Sequence, residues 1–146
     1  MDKKKILQFE DEVDLAAIYA MSFAEAGLEY KHYLNPPKSK EKLINLVVKE
    51  EPDLIIMDIL MPVMNGFEAT KILRSAPQTQ NIPIFGTSNM DAKTISKEIA
   101  ESGMMDYFCT TEIGSMEKIL KKIRGYFEKP MGYESRYKII KDTQSA

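Results

Sequence analysis

The sequence has one cysteine, one histidine and no tryptophan in 146 residues. A lone Cys109 excludes an intrachain disulfide framework and a zinc site built on thiolates. A lone His32 excludes a two-histidine metal centre and a histidine relay. Basic residues are not in excess either: 20 Lys and Arg stand against 22 Asp and Glu, a formal charge of −2. The chain therefore lacks the electrostatic footprint of a non-specific nucleic-acid or anionic-lipid binder. No run approaches the ~18–20 apolar residues of a membrane span. The start Met1-Asp2-Lys3-Lys4-Lys5 leads straight into a strand-like segment, without the apolar stretch of a signal peptide. Together these absences predict a cytoplasmic protein that touches neither membrane nor nucleic acid directly.

What is present is a globular composition, 44% hydrophobic and 29% charged, at a length that fits one domain. Strand-like and helix-like stretches alternate. Lys4 to Phe9 reads as a strand, and Val13 to Ala26 as a helix whose apolar side carries Leu15, Ala16, Ile18, Tyr19 and Phe23. Leu28 to Leu34 is a second strand, broken by Asn35-Pro36-Pro37, and a helix through Leu43, Ile44 and Val47 ends before Pro52. Asp53-Leu54-Ile55-Ile56-Met57-Asp58 is a continuous apolar run closed by a carboxylate, the mark of a strand buried on both faces of a parallel sheet. A helix from Gly66 to about Arg74, a strand over 82–87, a helix over 91–102 and a strand over 104–109 follow. The last helix runs from Ile113 to Phe127, with Ile113, Met116, Ile119, Leu120, Ile123 and Phe127 on one stripe. Repeated strand–helix units imply an α/β fold, a parallel sheet covered by helices on both faces.

In such sheets ligands bind outside the carboxyl ends of the strands. Glu10 and Asp11 after the first strand, and Asp58 at the end of the third, fall on that edge. Converging carboxylates repel and hold on to protons unless a cation joins them. An all-oxygen cluster with open positions suits Mg2+, which keeps waters and accepts phosphate oxygens. Glu12 fits the simpler role of complementing the dipole of the first helix. As a carboxylate at the end of a buried strand, Asp58 can act as a nucleophile and form an acyl phosphate.

The stretch Asp58-Ile59-Leu60-Met61-Pro62-Val63-Met64-Asn65-Gly66, with Glu10-Asp11 upstream, resembles the response-regulator receiver domain of two-component signalling. The resemblance covers about Lys3 to Phe127, in the manner of a chemotaxis-type single-domain receiver. It implies a flavodoxin-like, doubly wound (βα)5 fold with sheet order 2-1-3-4-5. It further implies phosphorylation on Asp58, and Mg2+ held by Glu10, Asp11, Asp58 and the backbone carbonyl of Leu60. A hydroxyl at the end of the fourth strand contacts the phosphoryl group in this family; Ser88 is in register, with Thr87 the alternative. The aromatic switch position falls on Tyr107, which on its own reads equally as a core aromatic. A sensor histidine kinase or phosphotransfer protein is the implied donor. A downstream protein is the implied reader, through the face of helix four, strand five and helix five, a face that also suits homodimerisation.

One feature departs from the family. Its strand five ends in Lys-Pro, whereas this chain has Thr110-Thr111, Thr110 occupying the lysine position. A charge-assisted hydrogen bond of about 1.5–3 kcal/mol is then missing from the phosphorylated state, and the pocket leans harder on Mg2+. The replacement makes a pseudo-receiver, an interaction module independent of phosphate, the alternative reading. Enzyme readings fit poorly: a haloacid-type phosphatase wants an Asp where Leu60 stands, and a flavodoxin wants a phosphate loop where Glu10-Asp11-Glu12 stands. Residues 1–128 form the receiver in this reading, and 129–146 a tail. Tyr133, Tyr137 and Ile140, spaced for one helix face, allow a short amphipathic arm; a frayed or linker-like end is the other reading. Cys109 reads as an inert core thiol. His32, beside Lys31 and Tyr33, reads as a surface side chain far from the acidic edge.

Overall fold

A computed structural model describes residues 3–135. Its elements are β1 (Lys5–Phe9), α1 (Val13–Glu25), β2 (Glu29–Tyr33), α2 (Lys40–Glu50), β3 (Leu54–Asp58), α3 (Gly66–Arg74), β4 (Ile84–Ser88), α4 (Ala92–Ser102), β5 (Asp106–Cys109) and α5 (Ser115–Glu128). The strands pair in parallel, in the order β2-β1-β3-β4-β5. This is the flavodoxin-like arrangement expected, with strands four and five starting two residues later than the apolar pattern suggests.

Alternation along each strand divides the core between the two faces. Leu7, Phe9, Ile55, Met57 and Ile84 pack with Leu43, Val47, Leu73, Ile95 and Ile99, the buried sides of α2, α3 and α4. Ile6, Leu54, Ile56, Phe85 and Phe108 pack with Tyr19, Phe23, Ile119 and Ile123 of α1 and α5. All of β3 is buried, so its five residues carry both layers, and its carboxyl end is held rigidly at the crevice where β1 and β3 diverge toward their helices.

Two helical residues do not lie where periodicity puts them. Ile18 is 53% exposed, and Ile113 is 97% exposed and precedes α5 altogether. Gly114 takes a left-handed conformation, φ +74, which separates Ile113 from the helix that begins one residue later. Met116, Ile119, Leu120, Ile123 and Phe127 do form the packed stripe.

At the opposite end of the sheet from the acidic residues, Arg74 leaves the end of α3 and donates from Nε to the carbonyl of Gly103 (2.9 Å) and from Nη1 to those of Gln80 (2.9 Å) and Ile82 (2.6 Å). Burial lowers the guanidinium to about 10. Gly103 is fixed twice over, by φ +93 and by Arg74 Cγ lying 2.9 Å from where a Cβ would stand.

The chain beyond α5 does not fray at once. Pro130–Gly132 makes a 3-10 turn, and Tyr133 follows in extended conformation. Its ring stacks on Phe85 at 5.8 Å between centroids. An amphipathic helix starting at Tyr133 is therefore not formed there; Tyr137 and Ile140 lie outside the described residues.

Candidate functional site: an acidic pocket at the carboxyl edge

β1 delivers Glu10 to the crevice with its backbone fully engaged. The Glu10 N–H donates to the Tyr33 carbonyl (3.1 Å), its carbonyl accepts from His32 Nε2 (2.6 Å), and its side chain accepts from the Glu12 N–H (3.0 Å). His32 is thus not remote from the acidic edge, contrary to the sequence reading. The register pairs Gln8 with His32, so a side chain near the end of β2 reaches the first residue beyond β1. That contact is set by the register of β1 on β2, which the sequence does not display.

Asp58 closes β3. The next residue, Ile59, donates to Thr87 and accepts from the Gly66 N–H, both at 2.9 Å. The loop is wound so tightly that a Cβ on Gly66 would fall 2.3 Å from the Asp58 carbonyl oxygen. Only glycine fits there. Asn65 then caps α3, its side-chain oxygen accepting from the Glu68 N–H at 2.9 Å.

These elements gather carboxylate oxygens of Glu10, Asp11 and Asp58 within 4.8 Å of one another. Glu10 is 2% and Asp58 7% exposed. Burial, opposed by the Glu12 N–H, pushes Glu10 up to about 6. Burial first, and the Glu10 charge next, push Asp58 up to about 8. The three residues open into a cavity of about 320 Å³ that is also lined by Leu60, Ser88, Asn89, Thr110 and Thr111. A buried cluster of hard oxygen donors, short of positive charge and open on one side, is the donor set that fits Mg2+.

The two candidate hydroxyls part company. Ser88 faces the cavity, whereas Thr87, paired with Asp58 in the ladder, is buried with no hydrogen-bond partner for Oγ1 among the described residues and does not line the cavity. Ser88 Oγ meets Tyr107 OH at 2.5 Å, and Tyr107 is 2% exposed. Thr110 folds back onto its own sheet: its N–H (2.8 Å) and its hydroxyl (3.2 Å) both donate to the Ser88 carbonyl. Asn89 was not singled out from the sequence; its place directly after Ser88 at the carboxyl end of β4 is the signal for it. Cys109 is buried, as its apolar neighbours suggest.

A five-stranded parallel sheet in this order, with a trio of carboxylates at the carboxyl ends of β1 and β3, defines a class of doubly wound α/β proteins with an acidic crevice. The response regulator receiver domain model matches residues 6–124, and the chain belongs to that family. Among curated relatives, the protein PilH of Pseudomonas aeruginosa is 35% identical over 80 residues, which cover 55% of this chain and 64% of PilH. The chain thus spans less than two thirds of that relative's length. Among solved structures, the chemotaxis protein CheY4 of Vibrio cholerae superposes with a TM-score of 0.72 at 23% identity, covering 84% of this chain and 98% of CheY4. The receiver domain of a sensor histidine kinase from Pseudomonas aeruginosa, solved with a magnesium ion coordinated in its active-site cleft, superposes at 0.71 and 17% identity over 86% of this chain and 98% of that one. Among the described residues no helix is long and apolar enough to cross a membrane.

Proposed function

We propose that this chain is a phosphorelay receiver that accepts a phosphoryl group on Asp58 and passes the event to protein partners through the face formed by α4, β5 and α5. The observation that carries it is the convergence of Glu10, Asp11 and Asp58 on a cavity whose far wall holds Ser88, itself joined to Tyr107. An Asp58 carboxylate oxygen attacks the phosphorus of a phosphohistidine or small phosphodonor. The new O–P bond forms as the donor's P–N or P–O bond breaks, and the leaving group takes up a proton. Glu10, Asp11, Asp58 and the Leu60 carbonyl would hold Mg2+, which when bound would supply the charge neutralisation that the transferring oxygens require. Asp58 must be ionised to attack, and a cation held by the three carboxylates would draw it back down toward the usual carboxylate range.

Three exposed apolar residues on α1, Val13 (63%), Ile18 (53%) and Met21 (67%), begin two residues after Asp11. Exposed apolar side chains on the helix that follows Asp11 suit a protein donor rather than a small molecule. After transfer, the Ser88 hydroxyl turns to a phosphoryl oxygen and leaves Tyr107, which biases the chain between two arrangements of β4, β5 and α4. With Thr110 at the position where the family has lysine, no side-chain cation lines the described cavity, and the phosphorylated state relies more heavily on Mg2+.

The test is titration with beryllofluoride, with and without Mg2+, followed by backbone amide NMR, with Asp58→Asn as control. Mg2+-dependent shifts around Asp58 that reach Ser88 and Tyr107, absent from the variant, are expected. No binding at millimolar Mg2+ would overturn the phosphorylation reading and leave a phosphate-independent interaction module.

A further inference from the structure

β5 is an edge strand of the sheet, and an open edge is a template for pairing with another chain. Its amino end is covered here by the segment that follows α5. Tyr133 OH donates to the Asp106 carboxylate at the start of β5, and the Ser135 hydroxyl donates to the Met105 carbonyl just before it. The Tyr133 ring lies between Phe85 and Tyr126, both at 5.8 Å between centroids, with Lys122 Nζ 5.6 Å from its centre. Ser135 is 1% exposed. A linker leaving the domain has no reason to bury a serine or to place a tyrosine hydroxyl on a buried carboxylate.

The groove between α4, β5 and α5 is lined in part by Asp106, Tyr107 and Glu134, so the segment borders the face through which a receiver's partner would act. It is also connected to the acidic pocket. Asp106 uses its other carboxylate oxygen to accept from the Tyr107 N–H at 2.9 Å, and Tyr107 OH meets Ser88 Oγ in the pocket wall.

We propose that Pro130–Ser135 is a latch, the chain's own cover over the amino end of β5, whose hold depends on the state of the pocket through Ser88, Tyr107 and Asp106. This rests on the receiver reading. A phosphoryl group that takes the Ser88 hydroxyl removes a partner of Tyr107. Movement of β5 at Tyr107 then shifts the carboxylate that holds Tyr133. A partner that needs the amino end of β5 meets the chain's own segment there until the pocket is charged.

Linkage is reciprocal, so loosening the latch must tighten the pocket for a phosphoryl mimic. The test uses the full chain and beryllofluoride with Mg2+. Tyr133→Phe keeps the ring and removes the hydroxyl; Tyr133→Ala removes both. Tyr133→Phe is expected to lower the Kd of the mimic by about threefold to tenfold, a part of what one hydrogen bond to a carboxylate can hold. In a Ser88→Ala background the same change has no effect. In the unaltered chain, the mimic speeds amide exchange at Tyr133–Ser135. Equal Kd values within about twofold for the unaltered chain and Tyr133→Phe, or an effect that persists in Ser88→Ala, would overturn the latch while the receiver reading stands. Failure of the unaltered chain to bind the mimic overturns both.

Discussion

Replacing Asp58 with Asn removes a carboxyl that is 7% exposed and crowded by Glu10 and Asp11. In the folded chain Asp58 is raised from its ordinary 3.8 to about 8, by burial and then by the Glu10 charge. Between those values the native state keeps a proton that the unfolded state has released. Stability therefore falls as pH rises from about 4 to about 8, the reverse of a salt-bridged aspartate. The limiting slope is about 1.4 kcal/mol per pH unit for one retained proton. Glu10 is raised as well, to about 6, so the pair titrates together, and water at the cavity mouth screens part of the repulsion. We expect a loss of about 2–4 kcal/mol across the interval. Urea denaturation in chelator at about pH 5.5 and about pH 8.5 measures it. The unaltered chain loses most of that amount, Asp58→Asn loses about half or less, and at the higher pH the variant is the more stable protein. Millimolar Mg2+ restores the unaltered chain and leaves the variant unchanged. A flat pH profile for the unaltered chain, or a variant less stable at about pH 8.5, would refute the claim that these carboxylates oppose one another.

Two further substitutions probe the same crevice. Gly66→Ala places a methyl group 2.3 Å from the Asp58 carbonyl oxygen, with backbone on the other side that cannot yield. It should cost about 1–3 kcal/mol by thermal or urea unfolding and weaken Mg2+ binding in a fluorescence or NMR titration. An unchanged melting temperature would mean that the loop is looser than its geometry states. Thr110→Lys adds a cation to the cavity wall. It should lower the Asp58 titration, followed by carboxyl carbon NMR, by about one to two pH units and raise the Kd for Mg2+. A pocket indifferent to that charge would show that position 110 does not face the carboxylates.

The fold was legible because its strongest signals are local. The apolar run of β3 ending in Asp58, the pairing of Glu10 with Asp11, and the loop from Met61 to Gly66 each show within a few residues, and sheet order followed from the resemblance they carry. The misreadings arise where a contact is decided at long range. Ile18 has helical spacing, but α1 offers its packed side through Ala16, Tyr19 and Phe23, and periodicity alone does not fix where the buried arc ends. His32 reaches Glu10 because of strand register. The spacing of Tyr133 with Tyr137 and Ile140, which allows an amphipathic arm or a linker-like end, does not show its partners, Asp106, Phe85 and Tyr126, two of them on strands far away in sequence. Of the two hydroxyls at the end of β4, Ser88 lines the cavity and Thr87 does not, a difference that strand alternation and not residue type decides.

Arg74 has a consequence for how α4 can move. A single guanidinium closes on carbonyls from the end of α4 and from two points on the connection into β4. Freeing any one of them strands a charged donor in a half-buried setting, at about 1.5–3 kcal/mol for each bond to a charged group. The end of α3, the entry to β4 and the last turn of α4 are thereby joined into one cooperative unit. The other end of α4, at Asp91 and Ala92, borders the groove beside Tyr107 and is held through Met90, whose N–H donates to Ser88 Oγ (3.0 Å) and whose carbonyl accepts from Tyr107 OH (2.5 Å), bonds between neutral groups. A helix pinned at its carboxyl end by a charged donor, and held at its amino end by neutral bonds to Ser88 and Tyr107, swings rather than slides when those two residues change partners. The displacement a partner would feel is then greatest at the residues nearest the pocket and smallest at Gly103.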